Sequence, residues 1–307
     1  MKFAEQPLLI FDGACGTNLQ LMNILDQDWA GCDGCNEILN LSAPQHIVAL
    51  HSSMLDAGAM VVETDTFGAS RVVLAEYDLA DKVKEINVRA VENARAAIGE
   101  RSDKYIAGSV GPGTKLPSLG HISVAELAAA TREQVETLVE AGVDCLIIET
   151  CQDLLQTKTA LVSAFEVLEA AGLDLPVMAS VTIEQQGTML VGSDIAAVVA
   201  TLQPFPLFSL GLNCATGPDD MKSHVQYLSR TWPKRISVIP NQGLPQVVNG
   251  QTHYPLSPDD YAEQMYRFVV EQGVSIVGGC CGTSPEHIRA LTSRLAGVTP
   301  KVREVDA

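Results

Sequence analysis

Three cysteines stand where their thiols could bind one metal ion. Cys280 and Cys281 are adjacent in the glycine-framed residues 278–283, and Cys214 ends the apolar residues 211–214. Neighbours in a regular strand point to opposite faces, so both thiols can face one ion only where the backbone is irregular, which glycines permit. Three thiolates with no obvious fourth protein ligand are typical of a catalytic Zn²⁺ site with an open position. The alternatives for the adjacent pair are buried core thiols or a vicinal disulfide.

A Zn²⁺ ion held by three thiolates indicates a particular class of reaction. Such an ion is soft and rich in negative charge, so it generates hydroxide poorly. It suits binding a substrate thiol in the open position, where the thiol stays deprotonated near neutral pH and remains nucleophilic. The cysteines therefore predict alkyl transfer to a thiol.

Two further motifs are weaker. Cys32 and Cys35 form a C-x-x-C that could bind metal or be redox-active, but the sequence has no second pair. Residues 108–115 look like a phosphate loop, although Thr114 separates the last glycine from Lys115. None of the 6 histidines follows an Asp by two positions, so the D-x-H-x-x-G signature of a cobalamin-binding domain is absent.

Eight short apolar runs supply the elements that must position these residues. We predict strands at residues 8–12, 60–64, 105–110, 145–150, 177–183, 208–214, 236–240 and 275–280. The runs are near-continuously apolar and alternate with helical stretches, several of which begin at a serine (Ser42, Ser123, Ser257 and Ser284). Eight such units predict an α/β fold, a (β/α)₈ TIM barrel, with an open doubly wound sheet as the alternative.

The chain shows no linker that would divide it. We predict one barrel domain over residues 1–297 and a short polar tail over residues 298–307 of the 307-residue sequence. The longest connection, residues 13–43, is predicted to form a lid or rim. Polar residues end most of the strands, namely Asp12, Glu63 to Thr66, Glu149, Asn213 and Asn241. Because strand carboxyl ends form one face of a barrel, we expect these residues to share that face with the cysteines.

At these residues the chain resembles the zinc-dependent homocysteine S-methyltransferase family. The resemblance covers roughly residues 8–295, and its motifs are residues 12–17 (DGACGT), 211–218 (GLNCATGP) and 278–283 (GGCCGT). Residues 148–155 (IETCQDLL) are similar to the homocysteine-binding module of cobalamin-dependent methionine synthase.

The resemblance implies a ligand set for zinc. Cys214, Cys280 and Cys281 would bind Zn²⁺, and the homocysteine thiolate would be the fourth ligand. Asn241 matches the family position that can approach zinc when substrate is absent. These three cysteines are therefore the predicted catalytic and metal-binding residues.

The resemblance also implies an amino-acid site. Asp12 and Glu149 would hold the substrate ammonium, backbone amides near Gly13 and Thr66 would hold its carboxylate, and Asn213 would lie in the same site. The family usually reads Thr-Asn-Thr-Phe after the second strand, whereas here Asp65 replaces the amide. The contacts of that loop are therefore open.

The predicted reaction is methyl transfer to homocysteine, giving methionine. By resemblance the donor is a methylcorrinoid such as methylcobalamin, carried by a separate protein or by domains outside this sequence. One alternative is a stand-alone enzyme that uses S-methylmethionine or another sulfonium donor. Two others are a non-catalytic zinc-binding scaffold module and a redox protein that uses Cys32, Cys35 and the Cys280–Cys281 pair.

Charge and composition exclude other classes of function. With 20 Lys and Arg against 37 Asp and Glu, the net charge is −17, which disfavours nucleic acid and anionic membrane surfaces. No apolar run has the roughly 18–20 residues of a membrane span, and the first residues lack a signal-peptide pattern. We therefore expect a cytoplasmic protein with free thiols or metal ligands, whose partners are homocysteine and a corrinoid carrier.

Overall fold

Eight parallel strands form the wall of a barrel in the computed structural model, which describes residues 2–248 and 251–305. They are β1 (Leu9–Ile10), β2 (Val61–Glu63), β3 (Tyr105–Val110), β4 (Cys145–Cys151), β5 (Val177–Val181), β6 (Ser209–Asn213), β7 (Arg235–Ile239) and β10 (Ile276–Val277). The neighbour order is β1-β10-β7-β6-β5-β4-β3-β2. A parallel bridge between Phe11 and Val61 joins the two ends. The predicted TIM barrel is confirmed, and each predicted strand overlaps an observed one.

Eleven α-helices are found in the described part of the chain. They are α1 (Cys15–Leu21), α2 (Leu39–Ser42), α3 (Pro44–Asp56), α4 (Arg71–Leu74), α5 (Val83–Ile98), α6 (Val124–Ala141), α7 (Leu154–Ala171), α8 (Ile195–Leu202), α9 (Pro218–Thr231), α10 (Pro258–Gln272) and α11 (Pro285–Leu295). None of these helices is long and apolar enough to cross a membrane.

Local chemistry explains where the helices start. Ser123 caps α6 in a reciprocal box with Glu126, and the Ser257 hydroxyl accepts the Asp260 amide at 3.2 Å. Helix α3 begins at Pro44, within the start signal at residues 42–44, because a residue without an N–H is tolerated there. Ser42 does not cap this helix, since its hydroxyl donates to the Ile38 carbonyl at 3.0 Å.

Alternate strand residues fill two apolar layers. Side chains that point into the barrel pack together, among them Leu9, Val61, Tyr105, Ile147, Met178, Ile239 and Ile276. Their strand neighbours point outward and pack against the helices, among them Ile10, Val62, Ile106, Ile148 and Val177. Both faces of every strand are thus covered, which accounts for the near-continuous apolar runs.

Two segments complete the description. Strands β8 (Gln246–Val248) and β9 (Gln251–His253) form an antiparallel pair, which the sequence patterns do not predict. In the predicted tail, the Lys301 amide donates to the Val269 carbonyl at 3.0 Å and Arg303 donates to the Trp232 carbonyl at 2.6 Å. Residues 1 and 249–250 of the predicted barrel domain and residues 306–307 of the predicted tail lie outside the described residues.

Candidate functional site

The three predicted thiols converge at the carboxyl ends of the strands. The Sγ atoms of Cys214 and Cys281 are 3.9 Å apart, as are those of Cys280 and Cys281. All three sulfurs lie within 4.8 Å of one another, and all three cysteines are free thiols. Tetrahedral zinc with sulfur at about 2.3 Å requires sulfur separations of about 3.8 Å. The donor set therefore fits Zn²⁺ with little movement and leaves one coordination position for another ligand.

Irregular backbone brings the thiols together. Cys214 follows β6 in the left-handed conformation, with φ 62°, and Ala215 continues it with φ 58°. Cys280 and Cys281 lie in a turn beyond β10, in which the Thr283 amide donates to the Cys280 carbonyl at 3.1 Å. The turn also lets the Cys281 amide donate to Asn241 Oδ1 at 3.1 Å. A regular strand could not direct two adjacent thiols to one point.

Hydrogen bonds among the sulfurs concentrate negative charge on one of them. Hydrogen bonds with Cys214 and Cys280 lower the pKa of the Cys281 thiol to about 3. Cys280, which shares hydrogen bonds with both other sulfurs and is buried, has a pKa raised well above its usual value. The cluster thus favours the thiolate form of Cys281, and a bound cation would favour the ionised form of the other two thiols.

A cavity of about 240 Å³ opens beside the thiols. Seven of the predicted site residues line it, namely Asp12, Gly13, Glu149, Asn213, Cys214, Cys280 and Cys281. The cavity is smaller than the roughly 300–1,000 Å³ of pockets for drug-sized ligands. It therefore suits a small metabolite bound next to the sulfur cluster.

Three carboxylates form one side of this cavity. Asp12 accepts the Glu63 amide at 3.1 Å, and Glu149 accepts the Ser109 hydroxyl at 2.6 Å. Burial raises the pKa of Asp12 and of Glu149 above the usual range. Burial and then the charge of Glu149 raise the pKa of Glu63, which also hydrogen-bonds to Glu149. One ammonium group bound here would offset this negative charge, as expected for an amino-acid site.

The side-chain amide of Asn213 is already engaged, because it hydrogen-bonds to Glu149 and to neighbouring residues. Its Nδ2 donates to Glu149 Oε2 at 3.1 Å and to Thr150 Oγ1 at 2.7 Å. Its Oδ1 accepts the Thr150 amide at 3.0 Å and the Ser180 hydroxyl at 2.7 Å. Thr150 has φ 54°, a strained value for a β-branched residue. These bonds fix the end of β4 and the direction of the Glu149 carboxylate.

Asp65 belongs to a second acidic group in the cavity wall. Its carboxylate accepts the Cys15 thiol at 3.4 Å and the Asn40 amide at 3.2 Å. Glu37 lies close by and accepts the Gly68 amide at 2.6 Å. Burial and then the Glu37 charge raise the pKa of Asp65 to about 8. The acid that replaces the family's amide is therefore largely protonated near neutral pH.

Two predicted residues lie behind the cavity rather than in its wall. The Thr66 hydroxyl donates to the Ser109 carbonyl at 2.7 Å, and the Thr66 amide donates to the Thr64 carbonyl at 2.8 Å. Asn241 bonds through its side chain to the Cys281 amide at 3.1 Å. Asn241 is therefore placed to support the turn that carries two of the thiols, and the Thr66 amide is already engaged.

Sequence reasoning missed several residues that line the cavity. Glu63, at the end of β2, was expected on this face but was given no role in the site. Glu37 comes from the long first connection, and His51 comes from the middle of α3. Neither of these two stands at a strand end, so only the folded chain reveals them.

The C-x-x-C lies outside the cavity wall. Cys35 is buried, and its thiol donates to Glu37 Oε2 at 3.6 Å. Burial and then the Glu37 charge raise its pKa to about 12. Reactive cysteines in C-x-x-C motifs have a lowered thiol pKa, so the environment of Cys35 is unlike that of a redox pair.

Comparisons with known proteins agree with this geometry. The family model described as "Homocysteine S-methyltransferase" matches residues 9–295. Two methionine synthases are similar to the chain, one from Mycobacterium tuberculosis (41% identical over 305 residues, 98% of this chain) and one from Mycobacterium leprae (42% over 300 residues, 96% of this chain). The alignments cover 26% and 25% of those proteins, so the chain spans about a quarter of their length.

A solved structure of similar size also matches. The homocysteine methyltransferase MmuM from Escherichia coli, in its metallated form, aligns with a TM-score of 0.74 and 26% identity. The alignment covers 94% of this chain and 97% of MmuM. The apo form of MmuM aligns with a TM-score of 0.68. With its residues 9–295 matching the family model, the chain belongs to the homocysteine S-methyltransferase family.

Proposed function

We propose that this chain methylates the sulfur of homocysteine to give methionine, with Zn²⁺ held by Cys214, Cys280 and Cys281. The observation that carries the proposal is one small cavity with three sulfurs at one end and carboxylates along its side. A thiol, an ammonium and a short chain between them complement that arrangement. When bound at the cysteines, Zn²⁺ supplies a Lewis-acidic position that keeps a substrate thiol ionised near neutral pH.

The chain's own residues bind and orient the substrate. Asp12 and Glu149 take the ammonium, and the bonds from Asn213 and Ser109 hold Glu149 in place. Glu63 adds a third carboxylate beside them. Holding the amino-acid end fixes the sulfur for in-line attack, which lowers the entropic part of the barrier. The sulfur electron pair then forms the bond to the methyl carbon, while the bond from that carbon to the donor breaks and its electron pair leaves with the donor.

The proposed methyl donor is a methylcorrinoid such as methylcobalamin. Its support is the 41% identity to a methionine synthase about four times longer than this chain and the motif at residues 148–155. Exposed apolar side chains on the strand-to-helix side of the barrel also favour a docked carrier, namely Leu21, Leu25, Phe67, Leu119, Leu155 and Leu190. Each follows one of the first five strands in the chain, on the same side as the cavity mouth.

A sulfonium donor is the second candidate. MmuM is a homocysteine methyltransferase whose length nearly equals the aligned length of this chain. A barrel of this size is therefore compatible with a donor that needs no carrier, and S-methylmethionine is the compound to test.

The deciding experiment offers homocysteine to the zinc-loaded protein with one methyl donor at a time. Methylcobalamin, S-methylmethionine and betaine, each with a deuterated methyl group, are supplied separately, and labelled methionine is measured by mass spectrometry. We expect methionine with methylcobalamin. Methionine only with S-methylmethionine would support the second candidate. No methionine with any donor, from protein that binds zinc fully, would support the scaffold alternative.

A further inference from the structure

His51 is a buried imidazole in the cavity wall whose ring nitrogens have no partner. The residue is 2% exposed, and neither Nδ1 nor Nε2 forms a hydrogen bond within the described part of the chain. Burial lowers its pKa to about 4, so the ring is neutral at pH 7 and offers one donor and one acceptor. A buried polar group without a partner costs folding free energy and requires an explanation.

The position of His51 distinguishes it from other unpartnered groups. The other buried side chains without a partner in the described residues, such as Trp232, Ser209 and Ser237, do not line the cavity. His51 does line it. A ligand in the cavity is therefore the available source of the missing partner.

The charges of the cavity wall indicate which chemical groups that ligand carries. Five acidic residues line the cavity, namely Asp12, Glu37, Glu63, Asp65 and Glu149, and among the described lining residues His51 is the one basic side chain. An amino-acid ligand brings a carboxylate as well as an ammonium group. Its carboxylate needs N–H donors: backbone amides near Gly13 are one source, and because no Lys or Arg lines the wall, His51 is the side chain with a basic ring that could add to them.

Helix α3 brings His51 to the cavity wall beside the turn that follows β1. It lies one turn before Met54 on α3, so the two side chains share a helix face. Met54 approaches the turn after β1 so closely that a Cβ at Gly13 would lie 3.1 Å from its terminal methyl. The imidazole therefore lies on the side of the cavity that the Gly13 turn and α3 form.

We propose that His51 donates a hydrogen bond to the carboxylate of the bound amino acid and thereby selects amino-acid thiols over simple thiols. The proposal rests on the proposed function, which brings homocysteine into this cavity. It assigns a substrate-binding role to a residue outside the strand ends and outside the zinc ligands.

The test compares two thiols that differ only in the carboxylate. Homocysteine and 3-aminopropane-1-thiol are titrated into zinc-loaded wild type, His51→Leu and Met54→Leu, and Kd is measured by calorimetry. A hydrogen bond to a charged group predicts that His51→Leu weakens homocysteine binding about tenfold or more. The affinity of His51→Leu for 3-aminopropane-1-thiol should differ from that of wild type by less than about twofold. Met54→Leu, a volume-conserving change on the same face, should affect the two thiols equally.

The possible failures can be told apart. Equal losses for both thiols in His51→Leu would overturn this inference and leave the proposed function standing. A wild-type protein that binds neither thiol would overturn both. A measurement on the unaltered protein guards against poor folding of the variant. In ¹⁵N spectra of the wild type, the His51 ring nitrogens should shift with homocysteine and not with 3-aminopropane-1-thiol, and no shift with homocysteine would overturn the inference.

Discussion

At the residue scale, the sulfur cluster is the feature on which the proposed chemistry depends. Cys281 is poised as a thiolate, and Cys214 reaches it at 3.9 Å from a left-handed backbone conformation with φ 62°. Removing one thiol would leave two ligands, too few to hold Zn²⁺ at a catalytic site.

Cys214→Ser should therefore abolish stoichiometric zinc binding. We expect zinc content after dialysis to fall from about one ion per chain to a small fraction, and methionine formation to fall at least about a hundredfold. Plasma emission spectrometry and a methionine assay measure the two effects. Cys32→Ser is the matched control, because its sulfur lies in the first connection outside the cavity wall, and it should behave as wild type. Full zinc content in Cys214→Ser would refute the proposed metal site.

Asp65 makes a separate prediction, about stability and pH. Its pKa is raised from 3.8 to about 8, so the folded protein takes up a proton that the unfolded chain lacks between those values. Stability is therefore lost as pH rises through this window, by at most about 1.4 kcal/mol per pH unit for one proton.

Asp65→Asn should remove this loss. The free energy of unfolding of the variant minus that of wild type should increase by at least about 1 kcal/mol as the pH rises from 5 to 8. Urea denaturation at several pH values measures it. The exposed Asp33→Asn, in the first connection, serves as the control and should follow the wild-type profile. A difference between Asp65→Asn and wild type that stays constant over this range would contradict the prediction.

At the scale of elements, Asn213 connects the ends of three neighbouring strands. Through its bonds to Glu149, Thr150 and Ser180 it joins β6 to β4 and β5. In the proposed substrate site it would be a positioning residue, because its polar atoms are engaged by protein groups. The direction of the Glu149 carboxylate therefore depends on a contact between strands.

Asn213→Ala should weaken both the fold and substrate binding. Leaving buried groups unpaired is expected to lower the free energy of unfolding by about 2–4 kcal/mol. Loss of the aligned carboxylate should raise the KM for homocysteine about tenfold, with a smaller change in kcat. Ser123→Ala, which removes the cap of α6, should cost about 1 kcal/mol with an unchanged KM. An unchanged KM in Asn213→Ala would assign Asn213 a purely structural role.

At the scale of the whole molecule, the barrel core and the proposed metal site are distinct. The two main apolar clusters consist of strand and helix residues, and the three thiols lie beyond the strand ends. We therefore expect that folding does not require the metal, in contrast to small zinc domains.

Removing zinc by chelation should leave a folded protein that no longer binds homocysteine. We expect unchanged far-ultraviolet circular dichroism, a cooperative transition, and a Tm lowered by no more than about 10 °C through lost metal binding. Dichroism and calorimetry measure these effects. Unfolding upon chelation would instead indicate a structural zinc and favour the scaffold alternative.

The exposed apolar side chains on the strand-to-helix side of the barrel predict where a corrinoid carrier docks. Leu119, 56% exposed, lies on the strand-to-helix side, whereas Leu173, 50% exposed, lies in a helix-to-strand loop on the opposite side. Leu119→Glu should slow turnover about fivefold with the corrinoid-binding module of a methionine synthase as donor, and leave turnover with free methylcobalamin unchanged. Leu173→Glu should change neither rate in the methionine assay. Equal rates for the two variants with the carrier would exclude this docking face.

Much of the fold and of the sulfur cluster follows from the sequence. Near-continuous apolar runs bounded by glycine, proline or polar residues locate all eight barrel strands, because a strand buried on both faces must be apolar along its length. Strand ends locate Asp12 and Glu149, since the carboxyl ends of barrel strands share one face. Cys214 and the Cys280–Cys281 pair follow from residue type and glycine spacing.

Only the tertiary structure decides which other side chains reach the cavity. His51 lies in the middle of a helix and Glu37 in a long connection, so their place in the wall depends on how α3 and residues 13–43 pack over the barrel. The raised pKa of Asp65 likewise depends on burial and on Glu37, which is 28 positions away in the chain. Local patterns encode strands and their ends, whereas burial and long-range contacts arise only when distant segments meet.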